Sequence, residues 1–360
     1  MKSFSQFLSE KQNYYKSTKE YREAEEISYS FLKDLYYSSY AFLKIPMKTS
    51  LFMDIGSAVD TLLTDAPDEQ TTIIVINSLP TGQIAEVLDY LSDRYMGGFQ
   101  QLEDLTEEQI NEAYDAVGSK SRTSYDKKKE SLIEHIEYYR AKMDSKNSII
   151  LTTELYNLVS DIVKLLKSCP KTKGIFNNTE KHVNNFFQFK SKGKLIDRDI
   201  KMMTDAITVN EDDKTITISD LKVGSTTTNN PFFQSFYGFK WYYQATIYYN
   251  IMLDIMTEYY MTFPEAEIYE LQPFQFIYVN SNTPYYPIIY KINPEITIDL
   301  LTKSIVKEDS SKEIPSIKEL FNAYDYYQSI LDDNPGINLR VAIPYYLAKD
   351  DQIVKIDTLL

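Results

Sequence analysis

The chain of 360 residues is 43% apolar and carries a formal net charge of −14, which allows a large core in one elaborated domain or two. No apolar run of about eighteen residues is free of charge and no basic-then-apolar leader opens the chain, so a cytoplasmic protein with no membrane partner is expected. A lone cysteine, Cys169, excludes an internal disulfide framework; two isolated histidines, His135 and His182, leave zinc sites and histidine triads without residues; and no glycine-rich phosphate loop is present.

In chain order, residues 1–26 read as a charged helical arm and residues 27–64 as two helices, the second bearing Asp60 beside the apolar stripe Ile55, Val59, Leu62 and Leu63. The turn-rich Asp65-Ala-Pro-Asp-Glu69 opens a mostly helical insertion over residues 65–145, in which Thr106 followed by Gln109 gives a helix-start signal. The insertion carries a basic cluster, Lys120, Arg122, Lys127, Lys128 and Lys129. Residues 146–190 are expected to be helical again. A second basic cluster follows, Lys190, Lys192, Lys194, Arg198 and Lys201; each cluster is either a strip that holds phosphates or a solvated face.

Residues 195–292 alternate strand, strand, helix, strand, strand, and residues 293–360 add a helix around Ile317 to Leu331 and a short extended tail. The fold class is mixed α/β: a small mixed central sheet flanked by helices, with a helical insertion. Residues 1–64 contribute N-terminal helices, 65–145 the insertion, 146–300 the core and 301–360 a C-terminal extension.

The core holds the chemistry. In an extended strand Ile216, Ile218, Asp220 and Lys222 share one face, and a hairpin through Asn210-Glu-Asp-Asp-Lys214 brings Asp205 opposite. Two hard carboxylates suit a divalent cation, and a lysine beside them can orient a water or stabilise charge on phosphorus, which is the layout of a metal-dependent phosphodiesterase. The run from Phe233 to Met261 reads as one long helix, with Phe236, Lys240, Gln244 and Tyr248 on one stripe at i, i+4 spacing. On that stripe Gln244 and Tyr248 can support the carboxylates, and Lys240 can reach a phosphate. Of the 31 tyrosines, Tyr36-Tyr37 and Tyr242-Tyr243 are nearest the motifs and could stack on bases. Abundant Lys, Asn and Ile fit an A/T-rich codon bias equally well.

The order Asp205, then Asp220-Leu-Lys222, then Gln244 with Tyr248 resembles the PD-(D/E)XK nuclease superfamily, and within it the RecE-like and RecB-like phage exonucleases. Further segments are similar to theirs: Ile27-Ser-Tyr-Ser-Phe-Leu-Lys33, Gly56-Ser-Ala-Val-Asp60-Thr-Leu-Leu63, Ile150 to Tyr156 with the helix up to Cys169, and the later strands Pro273 to Val279 and Tyr286 to Tyr290. The resemblance implies a Mg2+- or Mn2+-dependent exodeoxyribonuclease acting in recombination or repair, in a bacterial cell or phage-infected host. Asp205 and Asp220 would bind metal, Lys222 would serve catalysis, and Gln244, Tyr248 and Lys240 would support the site or the substrate. DNA, as duplex ends or single strands, would be the partner, with a single-strand annealing protein or recombinase taking the product and a homo-oligomer enclosing the duplex. Two departures stand out. Asp60 replaces the family's metal-binding histidine, so it is either a harder third ligand or an exposed helical residue, and Val223 replaces a small hydroxyl residue. One cysteine cannot hold the iron-sulfur cluster of some relatives. A catalytically silent nuclease-fold scaffold or end-binding protein, and a structure-specific endonuclease, are the alternative readings.

Overall fold

The computed structural model describes residues 2–12, 14–39, 42, 51–64, 71–96, 100–119, 123–144, 148–177, 182–224, 231–282, 286–306, 313–333 and 345–348. Along the chain these form α1 (Phe4–Gln12), α2 (Thr18–Glu23), β1 (Ile27–Ser28), α3 (Tyr29–Leu32), α4 (Leu51–Thr64), β2 (Ile73–Ile76), α5 (Gly82–Tyr95), α6 (Glu107–Ala116), α7 (Tyr125–Ile133), α8 (Ile136–Asp144), β3 (Ile149–Thr152) and α9 (Thr153–Ser168). They continue with α10 (Lys173–Phe176), β4 (Val183–Leu195), β5 (Arg198–Asn210), β6 (Thr215–Gly224), α11 (Pro231–Gly238), α12 (Trp241–Thr262), β7 (Glu270–Leu271), β8 (Gln275–Asn280), β9 (Ile288–Lys291), α13 (Pro294–Thr302), β10 (Ile305–Val306), β11 (Glu313–Ile314), α14 (Ile317–Asp333) and α15 (Tyr345–Ala348). Two compact units emerge, one of Met1–Lys48 with Leu165–Leu360, the other of Thr49–Lys164. Among the described residues no helix is long and apolar enough to cross a membrane.

The first unit is built on a mixed sheet with helices packed against it, as the sequence pattern predicts. Antiparallel pairs β4–β5, β5–β6 and β8–β9 alternate with parallel pairs β1–β5 and β6–β8. The β5–β6 hairpin closes through residues 211–214, where the Asn210 Oδ1 accepts the amides of Asp212 and Asp213 at 3.0 Å and Lys214 takes φ 53°. Asn and Asp favour such turns because their short side chains satisfy local backbone groups. The other hairpin, β4–β5, is unexpected: residues 183–195 form a strand, not part of a helix. Its two-residue loop is Ile196-Asp197, both at positive φ (50° and 62°). That backbone is the type I′ turn, which normally selects Asn-Gly, so the usual hairpin signature is missing from the sequence.

A second difference lies in the long helix. The run expected as one element is two, because α11 ends at Gly238 and Lys240 adopts a left-handed φ of 57° before α12 starts. Phe236 and Lys240 therefore do not share a helical stripe with Gln244 and Tyr248. Helix α12 is the centre of the core, with every residue from Tyr243 to Met252 buried. Its polar Asn250 is satisfied by donating to the carbonyls of Thr246 (2.8 Å) and Thr297 (3.0 Å). Strand β4 approaches it closely at Gly193, where an added Cβ would lie 3.0 Å from both the Ile251 Cγ2 and the Asp254 Oδ2. Large aliphatic and aromatic side chains such as Phe4, Leu32, Ile207, Ile218, Ile247 and Phe276 complete this core, each contributing roughly 1.5–3 kcal/mol by leaving water.

The second unit has its own core, centred on Val87, Leu88, Leu91, Leu105, Ile110 and Leu132. Its α6 begins with the expected capping box, the Thr106 hydroxyl accepting the Gln109 amide and the Gln109 side chain accepting the Thr106 amide. A short parallel pair, β2–β3, joins Ile73–Ile76 to Ile149–Thr152 and was not anticipated in a region expected to be helical. The unit is wider than the 65–145 insertion, since it also takes in α4, whose apolar side buries Ile55, Val59 and Leu63.

Candidate active site

The site arises from an interruption in backbone pairing. On one edge β5 pairs with β4 from end to end except at Asp205. On the other, Ala206–Asn210 pair with β6, Ile200 and Lys201 pair with β1, and residues 202–205 between them pair with neither. Unpaired strand groups need other partners. Here Asp205 supplies one: its Oδ2 accepts the Leu221 amide at 2.6 Å, standing in for a ladder carbonyl. Register extended from Ala206↔Ser219 puts Asp205 directly opposite Asp220, the hairpin geometry expected from the sequence. Across the other edge Gln188, the residue facing Asp205, is held at φ 46° and is skipped by the ladder, a strained backbone beside the candidate ligand.

Asp220 is 2% exposed. Its Oδ1 accepts a hydrogen bond from the Gln244 side-chain nitrogen at 2.7 Å, and its Oδ2 lies 2.5 Å from the Lys222 ammonium. That ion pair is outside hydrogen-bond geometry, so Oδ2 has no hydrogen-bond donor; nor does the Gln244 Oε1. Asp220 Oδ2 is met by the Lys222 ammonium alone and Gln244 Oε1 by no donor, and beside a second carboxylate these oxygens suit a hard divalent cation and its waters. Lys222 rests over the Trp241 ring at 5.2 Å, which fixes its direction.

Asp205, Asp220, Lys222, Gln244 and Tyr248 all line one cavity of about 410 Å³. Sequence reasoning missed Tyr21 and Arg22 on its wall, while Ser28, Tyr29, Ser30 and Lys201 were named in a motif or a basic cluster but, like Met203, given no place in the site. Their signal was faint: only the β1–β5 parallel pair brings them in, and a two-residue strand leaves no pattern to read. Burial pushes the Tyr248 phenol well above its usual range, with Tyr21 and the Asp220 charge adding to this, and burial followed by Asp220 and Asp34 does the same to Tyr29. Both phenols are neutral donors near neutral pH.

The remaining candidates are paired or packed within the first unit or belong to the second. Lys240 pairs with Asp34 at 2.6 Å and donates to the Lys33 carbonyl. In the second basic cluster Lys192 pairs with Glu26, Arg198 with Asp325, and Lys201 donates to the carbonyls of Tyr21 and Ala24, its ammonium pushed down by burial. In the first, Lys128 and Lys129 are bound to Asn111 and the Leu105 carbonyl, Lys127 is exposed, and Lys120 and Arg122 lie outside the described residues. Tyr36 and Tyr243 are buried in the core, Tyr243 donating to the Pro315 carbonyl, and Tyr37 and Tyr242 are half-buried against it. Asp60 is half-exposed on α4 of the second unit. Among the described residues no three His, Cys, Asp or Glu side chains gather as a metal group.

No family model and no curated protein matches the sequence. Among solved structures the chain is similar to a candidate exonuclease from Eubacterium rectale, at 12% identity and a TM-score of 0.41, over 91% of this chain and 87% of that one. A likeness of that size leaves the reading of the site to its own geometry.

Proposed function

We propose that this protein is a Mg2+- or Mn2+-dependent deoxyribonuclease of the PD-(D/E)XK kind that degrades DNA from its ends. The observation that carries the reading is the pair Asp205 and Asp220 facing each other where the β5 edge opens, with Lys222 on Asp220 and Gln244 braced against it. A divalent ion held by the two carboxylates would supply Lewis acidity and charge neutralisation at the phosphorus. Lys222, as the ammonium paired with Asp220, would then position the attacking water and stabilise charge on the non-bridging oxygens. Gln244 fixes the Asp220 rotamer through its amide and turns its free oxygen toward the same water shell. Tyr248, kept neutral, would donate to phosphate or water, and Tyr29 closes the wall. An annealing protein or recombinase would take the single strand produced.

The test uses end-labelled linear duplex and closed circular plasmid, with Mg2+, Mn2+ or chelator, and thermal melting with and without Mn2+. The reading expects metal-dependent loss of the linear DNA alone, and a Mn2+-induced rise in Tm that Asp220→Asn abolishes. Cutting of the circle would make the protein an endonuclease. No cleavage and no metal-dependent shift would leave a non-catalytic scaffold or end-binding protein.

A further inference from the structure

We propose that the aromatic corner between α11 and α12 is a stacking platform for an unpaired nucleobase, and hence that the DNA end taken by the site is single-stranded or frayed. This rests on the nuclease reading above and names its substrate. Phe239 is 58% exposed, Phe233 43% and Tyr237 39%, a cluster of rings held in water next to a site whose other aromatic side chains are largely buried. The corner is rigid. Lys240 is locked in its left-handed turn by Asp34, and the Tyr29 hydroxyl donates to the Phe239 carbonyl at 2.7 Å.

The rings lead directly to the chemistry. Phe239 stacks on Trp241 with centroids 6.0 Å apart and planes 25° off parallel, and the Lys222 ammonium lies 5.2 Å from the same Trp241 ring. Thus one indole touches both an exposed aromatic ring and the lysine paired with Asp220. Charge complements the rings. Lys33 sits over the Tyr29 ring at 5.6 Å, and besides burial its ammonium is disfavoured by the Lys240 and Lys222 cations, with Asp34 opposing. Lys33 and Lys222 lie over the Tyr29 and Trp241 rings that border the corner, so a strand's phosphates would meet these cations while a base lies on Phe239. Within a duplex only the terminal pair has a free face, whereas every base of an unpaired strand can offer one to Phe239, so the platform favours an unpaired end.

The experiment measures binding of the full chain by fluorescence anisotropy with chelator present, so that nothing is cut. Three probes are used: a single-stranded oligonucleotide, the blunt duplex of the same sequence, and a strand of equal length with abasic residues. Phe239→Ala should weaken the single strand by about tenfold, with little change on the duplex or the abasic strand, and Phe239→Trp should restore it. Because the ring is exposed, its removal leaves the core intact, and an unchanged Tm checks this. Equal losses on intact and abasic strands, no loss at all, or no binding of single strands by the unaltered protein would overturn the platform. Loss of Mn2+-dependent cleavage with the binding pattern preserved would instead overturn the nuclease reading alone.

Discussion

The two edges of β5 are treated differently. Along β4 the ladder runs from Val183↔Asn210 to Leu195↔Arg198, and its nearby cations are neutralised by partners within the fold, Lys192 by Glu26 and Arg198 by Asp325. Along the opposite edge the ladder stops for four residues between β1 and β6, and side chains take over the work of the backbone. The Asp205 carboxylate there accepts an amide that a continuous sheet would have given to a carbonyl. A closed edge stores stability, whereas an open edge leaves polar groups that a ligand can complete.

The comparison breaks first at Lys222. If the open edge is catalytic, Lys222→Ala should lower metal-dependent cleavage by about a thousandfold, measured as loss of end-labelled duplex, while leaving the fold intact by circular dichroism. Cleavage within about threefold of the unaltered protein would show that the open edge does not do the chemistry, since no lysine-dependent proton transfer costs so little.

The closed edge should respond in the opposite sense, in stability and not in chemistry. At Gly193 a side chain would press on Ile251 and Asp254 from 3.0 Å, so Gly193→Val should cost about 2 kcal/mol. The denaturation midpoint should fall, with activity per folded molecule unchanged at low temperature. An equal fall in activity would mean that the two edges are mechanically coupled through α12.

The two hairpins explain what could be read in advance. The β5–β6 hairpin was legible because Asn210, Asp212 and Asp213 announce its turn and because Ile216, Ile218, Asp220 and Lys222 alternate cleanly; with it came Asp205, Asp220 and Lys222 in one place. The β4–β5 hairpin was not, because Ile196 is a residue that ordinarily avoids the left-handed region and no glycine marks the turn. Local preference was overridden there by long-range pairing, and β4 passed for the end of a helical segment. The α11–α12 corner was missed for a related reason: Gly238 was the available stop signal, but the aromatic periodicity continues through it. Gln244 and Tyr248 were nonetheless placed correctly relative to each other, since both lie on α12, whereas Lys240 was assigned to a stripe that the corner divides.

If strain at Ile196-Asp197 is tolerated only because the closed edge holds it, a better turn should add stability. Ile196→Asn with Asp197→Gly installs the sequence that this backbone favours. It should raise stability by about 1 kcal/mol in urea titration with an unchanged m-value. A lower midpoint would mean that the Ile196 side chain contributes more through packing than its backbone costs.

The smallest effect expected is at Lys192, which separates the edges by pH. Burial pushes the Glu26 carboxyl up, but the hydrogen bond and charge of Lys192 outweigh it, so the carboxyl is held below its ordinary value of 4.5. A lowered carboxyl pKa contributes stability that is fully present above the unfolded value and is lost as pH falls through the folded one. The pair is partly exposed, so Lys192→Met should cost less than about 1 kcal/mol at neutral pH, and the deficit should vanish on acidification below the Glu26 titration, where the unaltered protein has lost the same contribution. Its affinity for DNA should be unchanged at fixed salt, because this lysine is already committed to Glu26 on the closed side of the strand. A tenfold loss of DNA binding in Lys192→Met would place the polyanion on that side and remove the distinction between the two edges.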